Sequence, residues 1–353
     1  MDSEKGSYFV AFRGRTGVRA MTAVLAAVLG ATALAGCSST GGKRAEDRAK
    51  AAAREAQATR GHAGVGTPRW TIAMVTHSGD GDTFWDIVQN GAEQAAAKDN
   101  IKFLYAHDEE GQKQAQLVQT YIDQHVDGLI VSLAKPDAMK DVLKKAEKAG
   151  IPVITVNSGS EESKEFGALT HVGQDETIAG EAVGEELNHR GKKKVLCVLH
   201  EQGNVGHEQR CDGTAKTFDG KLKKLYVDGT NMPRVQSSIL AKLQSDQDID
   251  AVVTLGAPFA DTAAKAVDQA RSDAEIDTFD LNAKVAAKLR DGSLGFAVDQ
   301  QPYLQGYEAV DLLWLYRYNA DTLGGGRPVL TGPQIITKDD AAALEDYAKR
   351  GTR

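Results

Sequence analysis

Residues 128–158, GLIVSLAKPDAMKDVLKKAEKAGIPVITVNS, decide the fold. Gly128–Ser132 and Val153–Val156 are short and apolar on both faces, and between them 137–149 carries apolar residues at helical spacing. Asp137, after Pro136, is placed to cap that helix, and Gly150 stands where a C′ glycine stands. Strand, helix, strand at this spacing is a βαβ unit with a right-handed crossover and parallel strands. A strand apolar on both faces belongs in a sheet covered by helices on both sides.

The rhythm extends both ways. Further strands are predicted at 70–76, 102–106, 195–200, 222–227, 251–254, 275–279 and 295–298. Helices are predicted at 83–98, 113–125, 177–190, 234–244, 261–271, 282–290 and 304–319. Asp175 is placed to cap 177–190, and Gly191 to follow it as a C′ glycine. This many units suit an α/β fold of two doubly wound parallel sheets, divided near 171–175. About 285 residues beyond position 68 suffice for two domains of ordinary size.

The chain ahead of that body reads differently. Arg13, Arg15 and Arg19 precede an uncharged run at 20–35 that closes on Leu34-Ala35-Gly36-Cys37. That is the order of an export signal, with a core short for a membrane span. It resembles a bacterial lipoprotein signal, cut before Cys37, which then carries lipid. An ordinary secretion signal with a chance cysteine is the other reading. Residues 1–36 are then a signal peptide. Residues 37–68, rich in Gly, Ala, Arg and Glu, are expected to form a flexible tether. The chain is expected outside the cytoplasm, lipid-anchored to the outer face of the cell membrane or periplasmic, as a monomer.

Hydrophobic residues at 41% and charged residues at 26% fit a globular chain. Without residues 1–36, 38 Lys and Arg face 47 Asp and Glu, a net −9. An acidic surface argues against a nucleic-acid partner. Cys197 and Cys211 either form a disulfide, closing a loop of about 15 residues for about 3 kcal/mol, or are buried thiols. No CxxC or Cys/His spacing suggests a metal, and no cofactor is expected. GxSxG, HExxH, Walker and strand-linked GxGxxG patterns are missing, so no catalytic residues are assigned.

Ligands of open α/β sheets bind beyond the carboxyl ends of the strands. Those ends offer His77 and Ser78, then Asp82 with Phe84 and Trp85 at a helix start, then Asn157 and Ser158. The second half offers His200-Glu201-Gln202-Gly203-Asn204 and a loop to Arg210, Gly256, Asp280, and Asp299-Gln300. Carboxylates, amides and an arginine can take adjacent hydroxyls in forked pairs, and an aromatic plane accepts the apolar face of a sugar ring.

With its Phe84-Trp85, Gly128-Leu129-Ile130-Val131, Gly150-Ile151-Pro152-Val153-Ile154-Thr155, Arg210 and Asp212-Gly213, the chain over 69–338 resembles the periplasmic sugar-binding proteins of the ribose/galactose type, solute receptors of ABC importers. The resemblance implies two lobes joined by a three-crossover hinge that close on a sugar, with a permease as partner. It places the crossovers near Gly173, Pro302 and Gly332. The first lobe is then 69–173 plus 303–331, and the second 174–302 plus 332–350.

The resemblance also implies ligand contacts at Asp82, Phe84, Trp85, Asn157, Arg210, Asp280 and Gln300, with His77 and Ser158 as additions. Asn157-Ser158 replaces an Asp-Arg pair of the ribose receptor, and Gly256 stands where an Asn contact is expected. Each residue has a plainer reading: Phe84 and Trp85 as core, Arg210 as a surface ion pair, Asp280 as a cap for 282–290. Asn157 would hold a turn with Gly159, Gln300 would be a hinge residue, and His77 would be structural. A sugar or signal sensor for a chemoreceptor or kinase is the alternative function.

Overall fold

The chain runs the same three-layer course twice. A computed structural model describes residues 66–79 and 82–353; Cys37 and the leader lie outside them. The first course is β1 (Thr71–Thr76), α1 (Thr83–Lys98), β2 (Lys102–His107), α2 (Gly111–Asp123), β3 (Gly128–Ser132), α3 (Pro136–Lys148), β4 (Val153–Val156), α4 (Ser160–Ser163) and β5 (Thr170–Gly173). The second is α5 (Glu176–His189), β6 (Lys194–Leu199), α6 (Val205–Thr217), β7 (Lys221–Tyr226), α7 (Met232–Ser245), β8 (Ala251–Thr254), α8 (Ala257–Ala270), β9 (Glu275–Phe279), α9 (Ala283–Asp291) and β10 (Ala297–Asp299). The chain then returns through α10 (Pro302–Asn319) and β11 (Val329–Leu330) to the first lobe. It crosses again to β12 (Gln334–Ile336) and α11 (Lys338–Lys349) in the second.

The sheet orders are β2-β1-β3-β4-β5-β11 and β7-β6-β8-β9-β10-β12, parallel except for β12 against β10. The result is an α/β molecule of two doubly wound lobes joined by three crossovers. Strand alternation explains the layers. Ile72 and Met74 of β1 face one core, with Ala92 and Ala309 of the helices, while Ala73 and Val75 face another, with Val118 and Val142. In the second lobe Leu196 and Val198 face one cluster, and Val195, Cys197 and Leu199 the other. Each such Val, Leu or Ile contributes about 1.5–3 kcal/mol by its burial.

Each lobe packs its first helix against a helix that follows a crossover, and glycines set the approach. A β-carbon at Gly306 on α10 would lie 1.9 Å from the Val88 carbonyl oxygen of α1; one at Gly91 would lie 2.0 Å from that of Tyr303. A β-carbon at Gly180 on α5 would lie 2.3 Å from the Arg210 carbonyl oxygen, and one at Gly213 on α6 2.3 Å from that of Thr177.

The structure departs from the sequence expectations in several places. The stretch before Arg210 is helix α6 rather than a loop: its buried face is Gly206, His207, Arg210, Cys211, Gly213 and Thr214, which carries no apolar periodicity to detect. Lys135, not Asp137, is the N-cap residue of α3, because Pro136 takes the first helical position, where its missing N–H is no loss. Asn282, not Asp280, caps α9, accepting from Val285 N–H at 2.9 Å. β5, β11, β12, α4 and α11 are additions. Thr67, expected in the tether, is already buried against the first lobe and accepts from the Trp314 indole at 3.2 Å. The second lobe runs on to Arg353, whose guanidinium meets the buried Asp299 at 2.6 Å.

Candidate ligand-binding cleft

Strand ends from both lobes converge on one cavity of about 550 Å³. His77 follows β1, Asp82 to Trp85 open α1, and Asn157 and Ser158 follow β4. Across from them stand Arg210 on α6, Asp280 after β9, and Gln300 at the second crossover. All nine predicted residues line this cavity. The lobes are shut upon it. Val205 N–H of α6 donates to the Ala134 carbonyl across the gap at 3.0 Å. Asn157 Nδ2 donates to Gln300 Oε1 at 3.1 Å, and Gln300 Nε2 donates to Asp280 Oδ1 at 2.6 Å. One amide thus ties the first lobe to the second at the hinge.

The first lobe supplies the flat wall. Asp82 caps α1, accepting from Phe84 N–H at 3.0 Å, which fixes where the helix begins. Phe84 and Trp85 meet edge to face at 5.2 Å, and the His77 ring meets Trp85 edge-on at 5.0 Å. Trp85 joins both readings of its position, packed in the first-lobe core and bordering the cavity. His77 Nδ1 lies 2.7 Å from Ser132 Oγ, and its Nε2 is 3.4 Å from Asn204 Nδ2 of the other lobe. Burial lowers its pKa, so the neutral ring is favoured.

The second lobe supplies the charge. Arg210 is buried, and Glu176, at the start of α5, holds it in a fork: Nε to Oε2 at 2.5 Å and Nη2 to Oε1 at 2.9 Å. Nη1 donates to the Leu255 carbonyl at 3.1 Å, and the guanidinium lies 4.6 Å from the Phe279 ring centroid. Burial alone would lower its pKa, but the Glu176 carboxylate holds it above the ordinary value. A guanidinium has five N–H donors, so two remain for a ligand. The pair is buried, unlike a surface ion pair. A disulfide from Cys197 on β6 to Cys211, with Cα atoms 6.1 Å apart, ties α6 to the sheet beside Arg210.

Asp82 and Asp280, which line the cavity, form no ion pair among the described residues. Burial raises Asp82 to a pKa of about 6, against the pull of the Phe84 N–H. Burial raises Asp280 to about 7, opposed by Arg210 and Gln300 and assisted by Asp82 and Glu176. Asn157 and Asp280 both adopt left-handed backbone, with φ of 65° and 69°. Such conformations are uncommon away from glycine and concentrate where side chains must be aimed.

Sequence reasoning missed Glu176, His200, Glu201, Asn204 and His207. Asn204 caps α6, accepting from Gly206 N–H at 2.9 Å, and donates to Glu201 Oε2 at 2.8 Å. The strand-end rule reached 200–204 but did not single them out. Glu176 had no signal, since it acts through Arg210 from outside the cavity wall. Among the described residues no cluster of His, Cys, Asp and Glu is arranged to hold a metal ion.

Residues 72–318 match the family described as the periplasmic binding protein domain. The chain belongs to that family. This periplasmic binding protein is 26% identical to the ribose import binding protein RbsB of Bacillus subtilis over 65% of this chain and 75% of that one. It is 26% identical to the D-apiose import binding protein of Paraburkholderia graminis over 79% and 91%. Among solved structures, a carbohydrate transporter from Acidothermus cellulolyticus 11B in complex with myo-inositol is 50% identical, with TM-score 0.80, covering 81% of this chain and all of that one.

Proposed function

We propose that the protein is the extracytoplasmic solute-binding component of an ABC importer, closing on an uncharged polyhydroxylated ring. A cyclitol of the myo-inositol kind is the leading ligand, with monosaccharides behind it. The observation that carries this is the shut cavity itself, in which both lobes aim hydroxyl-binding groups at one space beside an aromatic wall. A six-membered apolar ring fits a cavity of about 150 Å³, so this site has ample room for a ring with its hydroxyls. The 50% identical myo-inositol complex supports the ligand class.

Charge narrows the class further. The buried cation of the cleft is matched by Glu176, while Asp82 and Asp280 add carboxyls, so a phosphorylated or carboxylated ring meets no uncommitted positive charge there. Ligand contacts from both lobes favour the closed form over the open one, which is what a permease would read. The protein is a monomeric receptor without turnover. Leu34-Ala35-Gly36-Cys37 support lipid attachment at Cys37.

Calorimetric titration with inositols, pentoses and hexoses tests the reading; no binder tighter than millimolar across that panel overturns it. Ligand recovered unchanged after long incubation tests the lack of turnover. Metabolic labelling with a fatty acid, lost in Cys37→Ala, tests the anchor.

A further inference from the structure

The end of β6 carries a side chain for which the resemblance implies no ligand contact, His200. Its imidazole lies flat on Phe259, with centroids 3.7 Å apart and 19° between the planes, and its ring centroid is 4.4 Å from that of His207. Two glycines shape the slot. A β-carbon at Gly256 would stand 3.1 Å from His200 Cε1 and 3.6 Å from Nε2. One at Gly229 would stand 2.5 Å from the His200 carbonyl oxygen and 3.2 Å from Phe259 Cζ. His200, Phe259 and both glycines line the cleft. Nδ1 is buried without a hydrogen-bond partner, and Nε2 makes no hydrogen bond among the described residues. The edge cleared by Gly256 is the one that carries Nε2.

Burial, with the positive charge of Arg210 adding to it, drives the His200 pKa down to about 3. The ring is therefore neutral through the physiological range and presents one nitrogen as donor or acceptor. We propose that His200, seated between Gly229, Gly256 and Phe259, is a specificity-determining residue that reads the configuration of one ring hydroxyl through Nε2. This rests on the reading of the cleft as a polyol site. It also accounts for Gly256, where any side chain would crowd the imidazole that reaches over from the neighbouring strand end. A stereoisomer with that hydroxyl inverted leaves the nitrogen unpaired in a closed cavity. Such mismatches discriminate more sharply than a change of apolar contact.

The test is calorimetric titration of wild type and His200→Phe with myo-, scyllo- and D-chiro-inositol, D-glucose and D-galactose. Phe keeps a flat ring on Phe259 and removes both nitrogens. The preferred ligand should weaken about tenfold or more, and its single-centre stereoisomers about threefold or less, so that the ratio between them collapses. Equal losses for all ligands, or unchanged ratios, overturn the proposal. If His200→Phe does not fold, the ¹⁵N spectrum of the wild-type histidines decides. A His200 Nε2 resonance that moves on saturation with the preferred ligand supports the assignment, and one that stays put overturns it. Wild type that binds none of the five compounds overturns the polyol reading and this proposal with it, an outcome distinct from ratios that do not change.

Discussion

The two lobes follow one backbone course and put it to different chemical use. His77 and His200 each follow the first strand of a lobe, Asp82 and Asn204 each cap the next helix, and Asn157 and Asp280 each take left-handed backbone after the fourth strand. Even the glycine contacts correspond, Gly91 with Gly306 in one lobe and Gly180 with Gly213 in the other. The difference lies in what the first helix carries. α1 presents Phe84 and Trp85, whereas α6 presents Arg210, braced by Glu176 and a disulfide. Backbone geometry decides where a group is delivered, and side chains decide which face of a ring each half can take.

That asymmetry can be broken most severely at the brace. Glu176→Ala leaves the Arg210 guanidinium buried without its counter-ion, and denaturant titration should show a loss of about 3–5 kcal/mol together with loss of ligand binding. Removing the cap in the first lobe, Asp82→Ala, should cost only about 1 kcal/mol of stability. Equal costs would mean the lobes are not differently built. Next comes Cys197→Ala with Cys211→Ala, expected to lower stability by about 3 kcal/mol, with the wild type falling toward the same melting temperature under reductant. Phe84→Ala should weaken the cognate ligand about tenfold by removing half of the edge-to-face pair, with little change in melting temperature. A larger effect of Phe84→Ala on stability than on affinity would return that residue to the core.

The last effect is a pH dependence. Asp280 has its pKa raised from 3.8 to about 7, so the unfolded chain ionises first and the folded state holds the extra proton. The stability this gives is complete below about pH 4 and is lost as pH rises through about 7. The ligand-free melting temperature should therefore fall between about pH 5 and pH 8, and Asp280→Asn should flatten part of that slope. An identical slope in the variant would show that other groups govern it.

Most of the strands and the two-lobe plan were legible because each strand is a short apolar run beside a periodic helix, as 128–158 shows. α6 was not, since a helix buried through Gly206, His207, Arg210, Cys211 and Gly213 has no apolar stripe. The cavity residues could be named because strand ends point the same way in this architecture. Glu176 could not, because its role exists only once α5 is laid against α6. Asp280 had two compatible readings, as cap and as contact, and only Asn282 taking the cap separates them.

The main-chain bond from Val205 to the Ala134 carbonyl has a kinetic consequence. It joins main-chain atoms and involves no ligand atom, so every solute held inside meets the same latch. Departure then has to wait for that latch to part. Dwell times for good and poor ligands should share a common opening step, and delivery would be timed by the protein's own breathing as much as by its grip.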